Sequence, residues 1–227
     1  MDYAQNKTKK SIFFNMILAA VALFINGFGV YLTIHANIGA GPWDVFNLGL
    51  SKTFGILYGT ASILVSSAIL CIDISLKEPI GIAMFIDAVV VGKSVDFFER
   101  INIIPQPANL LGGVLMIFVG LTVMGYTQFL YMHAALGCGP RDTLLIGLKK
   151  RRTRIPIGAV SIGLLSASTL IGYLLGGPVG IGTIICAFCS GPIMQFAFYT
   201  MHFDATRIYH HNLQDSIKVL VIPCRHD

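Results

Sequence analysis

Charge is what this chain has least of. Charged residues make up 12% of it and hydrophobic residues 55%, whereas an ordinary soluble domain carries about 25% charged residues. That shortage excludes a soluble surface, and no stretch is long or polar enough for a second, soluble domain. The chain also lacks a nucleotide-binding loop, a catalytic-triad spacing and a metalloprotease helix, so no catalytic residue is expected and an enzyme is disfavoured. Cysteine is sparse and odd in number: Cys71, Cys138, Cys186, Cys189 and Cys224 lie mostly in apolar surroundings, which excludes a disulfide framework and leaves free thiols. Cys186 and Cys189 form C-x-x-C without histidine partners, and the tail histidines His202, His210, His211 and His226 have no compact metal spacing. No metal and no cofactor are expected.

What the chain has in quantity is apolar sequence in long runs. A bilayer-crossing helix needs ~20 apolar residues, and six runs qualify: roughly 12–34, 56–74, 80–98, 110–132, 156–176 and 178–200. The first is longer than a signal-peptide core and has no small-residue cleavage site after it, so it is expected to stay in the protein. The chain therefore reads as one all-α polytopic membrane domain over 1–227, with a tail at 201–227. The lipid bilayer is its first partner.

A net charge of +5 could suggest nucleic acid, but the basic residues stand at span ends. Lys7, Lys9 and Lys10 precede the first span, Lys77 follows the second, and Arg141, Lys149, Lys150, Arg151, Arg152 and Arg154 lie between the fourth and fifth. Arg207, Lys218 and Arg225 follow the sixth. With six crossings these thirteen share one side, against Lys52 and Arg100 on the other. The positive-inside rule then puts both termini in the cytoplasm. Topology accounts for the charge, and no nucleic-acid partner is expected.

The same motif is written twice. NIGAGPWDVFNLGLSK at 37–52 returns as ALGCGPRDTLLIGLKK at 135–150. At an offset of 98, His35/His133, Gly39/Gly137, Gly41/Gly139, Pro42/Pro140 and Asp44/Asp142 coincide. After a one-residue insertion the offset is 99, with Gly59/Gly158, Ser62/Ser161, Pro79/Pro178, Gly81/Gly180, Gly92/Gly191 and Phe97/Phe196 in register. Repeat 1 covers 12–98 and repeat 2 covers 110–200, three spans each. An odd number of crossings turns the second copy over, giving a 3+3 inverted repeat, a recurrent transporter architecture. A duplication that merely supplies a stable six-helix bundle is the plainer alternative.

Gly-x-Gly-Pro-x-Asp is a helix start. Proline in the first turn loses no hydrogen bond, the glycines allow a sharp approach, and an aspartate in that turn meets the positive end of the helix dipole. The following helix, near 43–53, is only ~15 Å long, half the hydrocarbon thickness, so a short non-spanning helix follows each motif. It either lies at the interface with the aspartate capping it, or dips inward so that Asp44 and Asp142 bind an ion or polar solute. His35 and His133 precede the aspartates by nine residues and serve either as interfacial anchors or in proton handling. Trp43 in the first copy is replaced by Arg141 in the second, an interface aromatic against a cation beside Asp142. Arg141 either sets orientation with Asp142 or recognises an anionic solute.

Asp87 lies near the middle of the third run, where an ionisable residue costs ~2.5–3.5 kcal/mol on insertion scales and marks a candidate functional position; it either couples transport to a proton or cation or is a protonated, hydrogen-bonded structural residue. Its repeat partner is Cys186, so the duplicated scaffold does not require the charge. Lys93 is expected to snorkel and pair with Asp96, with contact to the solute as the alternative that makes both secondary pathway candidates. Asn26 and Gln128 read as interhelical hydrogen-bonders that could line a cavity. Gly172 and Gly176 form G-x-x-x-G, which permits close helix approach.

GAGPWD at 39–44, with GFGVYLTIHANI upstream, and its echo GCGPRD at 137–142 resemble the YczE/YyaS/YitT-type bacterial integral membrane proteins, most closely the YczE-like branch, over about residues 12–200. The resemblance implies the bacterial cytoplasmic membrane and no established activity. The reading that results is a secondary transporter of a small polar or charged solute, with alternating access between the repeats and coupling to a proton or cation. The pathway residues are Asp87, Asp44, Asp142, Arg141, His35 and His133. A membrane accessory protein serving a partner subunit, or the substrate-binding component of an ATP-driven importer, is the alternative; a homodimer is compatible with both.

Overall fold

The computed structural model describes residues 9–134, 139–151 and 154–202. Among these, regular structure consists of eight helices and no strands: α1 (Lys9–His35), α2 (Pro42–Phe54), α3 (Tyr58–Ser75), α4 (Ile82–Ile101), α5 (Leu110–His133), α6 (Pro140–Arg151), α7 (Ile157–Leu174) and α8 (Ile181–Thr200). Five of them, α1, α3, α5, α7 and α8, are long and apolar enough to cross a membrane. The 20-residue α4 has the length but carries Asp87, Lys93, Asp96, Glu99 and Arg100. Their outward faces expose Phe13, Phe14, Leu111, Ile162, Leu174 and Phe188, apolar surface that water would not tolerate in such quantity.

The short helices α2 and α6 start at the two motifs. Gly41 stands at the N-cap of α2, Pro42 and Asp44 fall in its first turn, and Gly55 ends it in the left-handed conformation at φ +64°, the ordinary use of glycine past a helix C-terminus. Pro140 and Asp142 start α6 in the same way. At 13 and 12 residues these helices are ~20 Å long, too short to cross. Gly39 has φ +110°, and a Cβ there would also come within 2.7 Å of the Gly180 amide nitrogen, so only glycine fits this approach to the start of α8. Gly137, its counterpart, lies outside the described residues, as do Cys138, Arg152 and the chain from 203 onward.

Small residues bring the long helices together. Along α1 and α5, Asn15 bonds the Ala134 carbonyl, Asn26 bonds Thr127, Gly29 lies against Gly120, and Gly113 lies against the Ala36 carbonyl. The pairing runs low to high on one helix and high to low on the other, so α1 and α5 are antiparallel. α4 runs alongside α1 in the same direction: Ser94 bonds the Phe24 carbonyl, and the Phe98 ring lies tilted against both Phe28 and Tyr31. α8 relates to α5 likewise, with Gly182 near Ile117, Gly125 near Ala197, and Tyr126 bonded to Thr200.

The remaining packings come in matching pairs. α2 lies on α7 and α6 on α3; α2 also meets α3 and α6 meets α7; α2 meets α8 and α6 meets α4. Exchanging α1–α4 for α5–α8 maps this pattern onto itself with one exception. α3 packs closely on α4, whereas α7 barely touches α8.

Candidate functional site

Between the two sets of four helices lies a cavity of about 450 Å³. Asp44, Asp87, Arg141 and Asp142 line it, with Trp43, Tyr58, Asn26 and Gln128 and the hydroxyls of Ser62, Ser66, Ser161 and Ser190. Four of the six charged or titratable pathway candidates from the sequence therefore meet in one space, supplied by α2, α4 and α6. Asn26 reaches it from α1 while donating across to Thr127 at 3.0 Å, so it joins two helices and faces the cavity at once.

The helix starts set the geometry. Asp87 of α4 and Asp142 of α6 both converge on Gly139: a Cβ there would lie 3.1 Å from the Asp87 carboxylate and 3.9 Å from that of Asp142. Gly41, the equivalent glycine, is instead flanked by Asp44 and by Cys186. Cys186 and Asp87 thus occupy corresponding posts above the two helix starts, and only one post is charged. The positive ends of the α2 and α6 dipoles point into the cavity, which favours negative charge there.

The two aspartates differ in surroundings. Asp44 is 7% exposed and accepts from Tyr58 Oη at 2.7 Å, while Asn47 donates to the same hydroxyl at 3.3 Å. Asp142 is exposed to the cavity, and the positions matching Tyr58 and Asn47 are Ile157 and Leu145. One carboxylate is sealed by a hydrogen-bond relay and the other is left open. Tyr58→Phe leaves the buried Asp44 oxygen without its donor and is expected to cost ~1–3 kcal/mol. That would read as a fall of several degrees in the unfolding midpoint of the detergent-solubilised protein; an unchanged midpoint would remove the sealing role.

Arg141 departs from its sequence reading. It leaves the cytoplasmic loop count, because it lies inside the cavity with its guanidinium carbon 5.2 Å from the centre of the Trp43 ring. Trp43 is correspondingly a cavity residue and not an interface anchor. The two residues that the repeat makes equivalent face each other, a cation–π contact, and the guanidinium attracts all three carboxylates.

Other candidates fall elsewhere. His35 bonds the Ile104 carbonyl at 2.7 Å and stacks on Tyr31, and His133 stacks on Phe129; neither lines the cavity. Asp96 does not pair with Lys93. Its carboxylate accepts from the Gly59 amide at 2.7 Å, capping the first turn of α3 from the neighbouring helix, while Lys93 is exposed. The helix N-terminus offers a fixed donor that a long lysine must lose side-chain entropy to match. Gly172 of the G-x-x-x-G motif receives α2, since a Cβ on it would lie 2.5 Å from the Phe46 amide nitrogen. Cys71, Cys186 and Cys189 are free thiols.

The sequence reading gives Tyr58, Asn47 and Asp73 no role. Asp73 is fully buried near the end of α3, and neither carboxylate oxygen has a hydrogen-bond partner. Its place inside the second apolar run was the available signal, as it was for Asp87. Tyr58 and Asn47 carried none, because their importance arises only from contact with Asp44.

Comparison with known proteins places the chain in a family. The relatives include the uncharacterised membrane protein YczE of Bacillus subtilis, 32% identical over 177 residues, which covers 77% of this chain and 81% of that protein. An uncharacterised protein of Haemophilus influenzae is 30% identical over 175 residues, covering 77% and 79%. The uncharacterised protein YyaS of Bacillus subtilis is 27% identical over 184 residues, covering 78% and 89%. No solved structure matches. The model of a family of unknown function, DUF6198, matches residues 13–198, and the chain, a YczE-like membrane protein, belongs to that family.

Proposed function

We propose that the protein is a secondary transporter of a small polar or charged solute in the bacterial cytoplasmic membrane. In this reading α4 crosses as a sixth span with its charges turned inward, α1–α4 and α5–α8 form inverted halves, and both termini are cytoplasmic. The antiparallel contact of α1 with α5, corresponding helices of the two copies, supports the inversion. The observation that carries the function is the cavity between the halves, where three carboxylates and one guanidinium from the two motifs and α4 face a single space. Groups that cost this much to bury in a bilayer are kept where a solute or ion passes.

The mechanism follows from the halves. A solute enters the cavity from one side, contacts Asp87 and Asp142 above the start of α6, and leaves on the other side when the halves exchange conformations. Asp87 is the coupling group, because Cys186, a buried neutral thiol, stands in its place in the other half and only the carboxylate offers a charge for a proton or cation to neutralise. No ATP-binding residues enter this scheme.

The test begins with untargeted metabolite comparison of cells and medium with and without the protein, to identify the solute. Flux of that solute is then measured in proteoliposomes for the native protein and for a variant with Lys149, Lys150, Arg151, Arg152 and Arg154 replaced by glutamine. Flux in both is expected. An absence of flux, with a cellular effect lost only in the glutamine variant, would favour an accessory protein that docks a partner through this basic segment. Lys150 is already held by Glu78, and Arg151 by the Leu76 carbonyl.

A further inference from the structure

The one break in the exchange of packings falls on a pair of glycines in each half. In the first half Gly59 of α3 lies directly against the backbone of Gly92 of α4; a Cβ on Gly92 would sit 2.8 Å from the Gly59 carbonyl oxygen. Asp96 locks this seam by accepting the Gly59 amide. The equivalent residues in the second half, Gly158 of α7 and Gly191 of α8, have no atom beyond their own helix turn within 4 Å of where a Cβ would stand. Gln195 occupies the position matching Asp96 and is exposed, and among the described residues no side chain accepts the Gly158 amide. The cavity reaches this open seam, where Ser161 and Leu165 of α7 and Ser190 and Gly191 of α8 line it.

We infer that these seams are the two gates of the transporter, the α3–α4 seam shut and the α7–α8 seam open in the conformation described. The opposite conformation brings Gly158 onto Gly191, with the Gln195 side-chain carbonyl accepting the Gly158 amide. The inference rests on the transport reading and adds to it which helices move and where they meet. Chemistry at the seam fits this motion. Pro192 follows Gly191 inside α8 and removes a backbone hydrogen bond there, which gives the helix a bending point; the matching position in α4 is Lys93, with its hydrogen bond intact. Gln195 is a neutral acceptor where Asp96 is a charged one, so the second seam is held more weakly than the first. Under the basic-residue topology the open seam faces the cytoplasm.

The test uses the full chain with its native cysteines replaced and one reporter, Ser62→Cys, in the cavity wall on α3. Sealed right-side-out and inverted vesicles are treated with a membrane-impermeant cationic methanethiosulfonate. The reporter is expected to react from both faces, rapidly from the cytoplasm and slowly from outside. Adding Gly191→Leu wedges the second seam open, so labelling from outside should fall at least tenfold while cytoplasmic labelling persists. In a companion variant, Gly158→Cys with Gly191→Cys, oxidation should link α7 to α8. A dithiol reagent should then restore cytoplasmic access to a solvatochromic probe placed non-covalently in the cavity. Retained cytoplasmic labelling in the Gly191→Leu variant guards against misfolding. If outside labelling survives the wedge, or if the cysteine pair never links, the gate is overturned. Solute flux separates the two ideas: flux undiminished by Gly191→Leu sinks the gate and leaves transport standing. Side-specific labelling that responds to the wedge, with no flux of any solute, sinks transport and leaves the gate.

Discussion

Gly92→Leu is expected to exclude the conformation described and to lower the recovery of folded protein, while Gly191→Leu accumulates like the native chain. The two residues are equivalent in the repeat, so propensity and sequence context predict similar costs. Their surroundings differ. At Gly92 the added side chain meets the backbone of Gly59, and α3 and α4 must separate to admit it. Overpacking of this kind costs ~1–3 kcal/mol. Separation also breaks the bond from the Gly59 amide to the Asp96 carboxylate, a charged hydrogen bond whose loss adds ~1.5–3 kcal/mol. Together these costs fall on the conformation in which the seam is shut, so the variant keeps only the conformation with that seam open. At Gly191 nothing beyond its own helix turn lies within 4 Å, and the leucine finds open space. Monodisperse recovery of detergent-extracted protein on size exclusion measures the difference, and equal recovery of the two variants would contradict the asymmetry of the seams.

The second large effect concerns charge. Three carboxylates face one guanidinium in the cavity, so the proposed transport favours a cationic solute or a coupling proton as passenger. Removing one carboxylate takes away an attraction of ~4 kcal/mol at 4 Å and an effective dielectric of 20. With part of that lost to distance and water, ~2–3 kcal/mol remains, or roughly a hundredfold in rate. Asp87→Asn is therefore expected to lower flux about a hundredfold with membrane insertion intact, because the amide keeps the shape and removes the charge. Arg141→Ala acts in the opposite sense on binding: the cavity becomes more negative, KM for a cation falls, and release slows, so kcat falls as well. An anionic solute would reverse the pattern, with Arg141→Ala raising KM and Asp87→Asn sparing it. Steady-state flux in proteoliposomes across a solute range distinguishes the two.

The elements were readable because each rests on a local cause. The apolar runs anticipate α1, α3, α5, α7 and α8 closely, since a bilayer-length helix must satisfy its own backbone and present apolar residues along its length. Gly-x-Gly-Pro-x-Asp marks the starts of α2 and α6 because proline and aspartate act within a single turn. Asp87, Asp44, Asp142 and Arg141 were conspicuous as charges in or beside apolar sequence, and they line one cavity. The differences were of placement and of partnership, and those of partnership came from far along the chain. Lys93 and Asp96 stand three apart on one helix, but Asp96 turns to Gly59, 37 positions away. Trp43 and Arg141 occupy equivalent sites nearly a hundred residues apart, and the repeat shows their equivalence without showing that they touch.

Composition and periodicity alone were enough for an all-helical chain rich in bilayer-length helices, and the duplicated motif was visible as a register of identical residues, because hydrophobic length and helix-start chemistry are properties of neighbours along the chain. Which glycine of an equivalent pair is crowded, which aspartate is sealed by Tyr58, and which seam stands open were decided by the tertiary structure. Those outcomes depend on how far apart two helices lie and on which side chains meet between them, and neither is a property of neighbours along the chain.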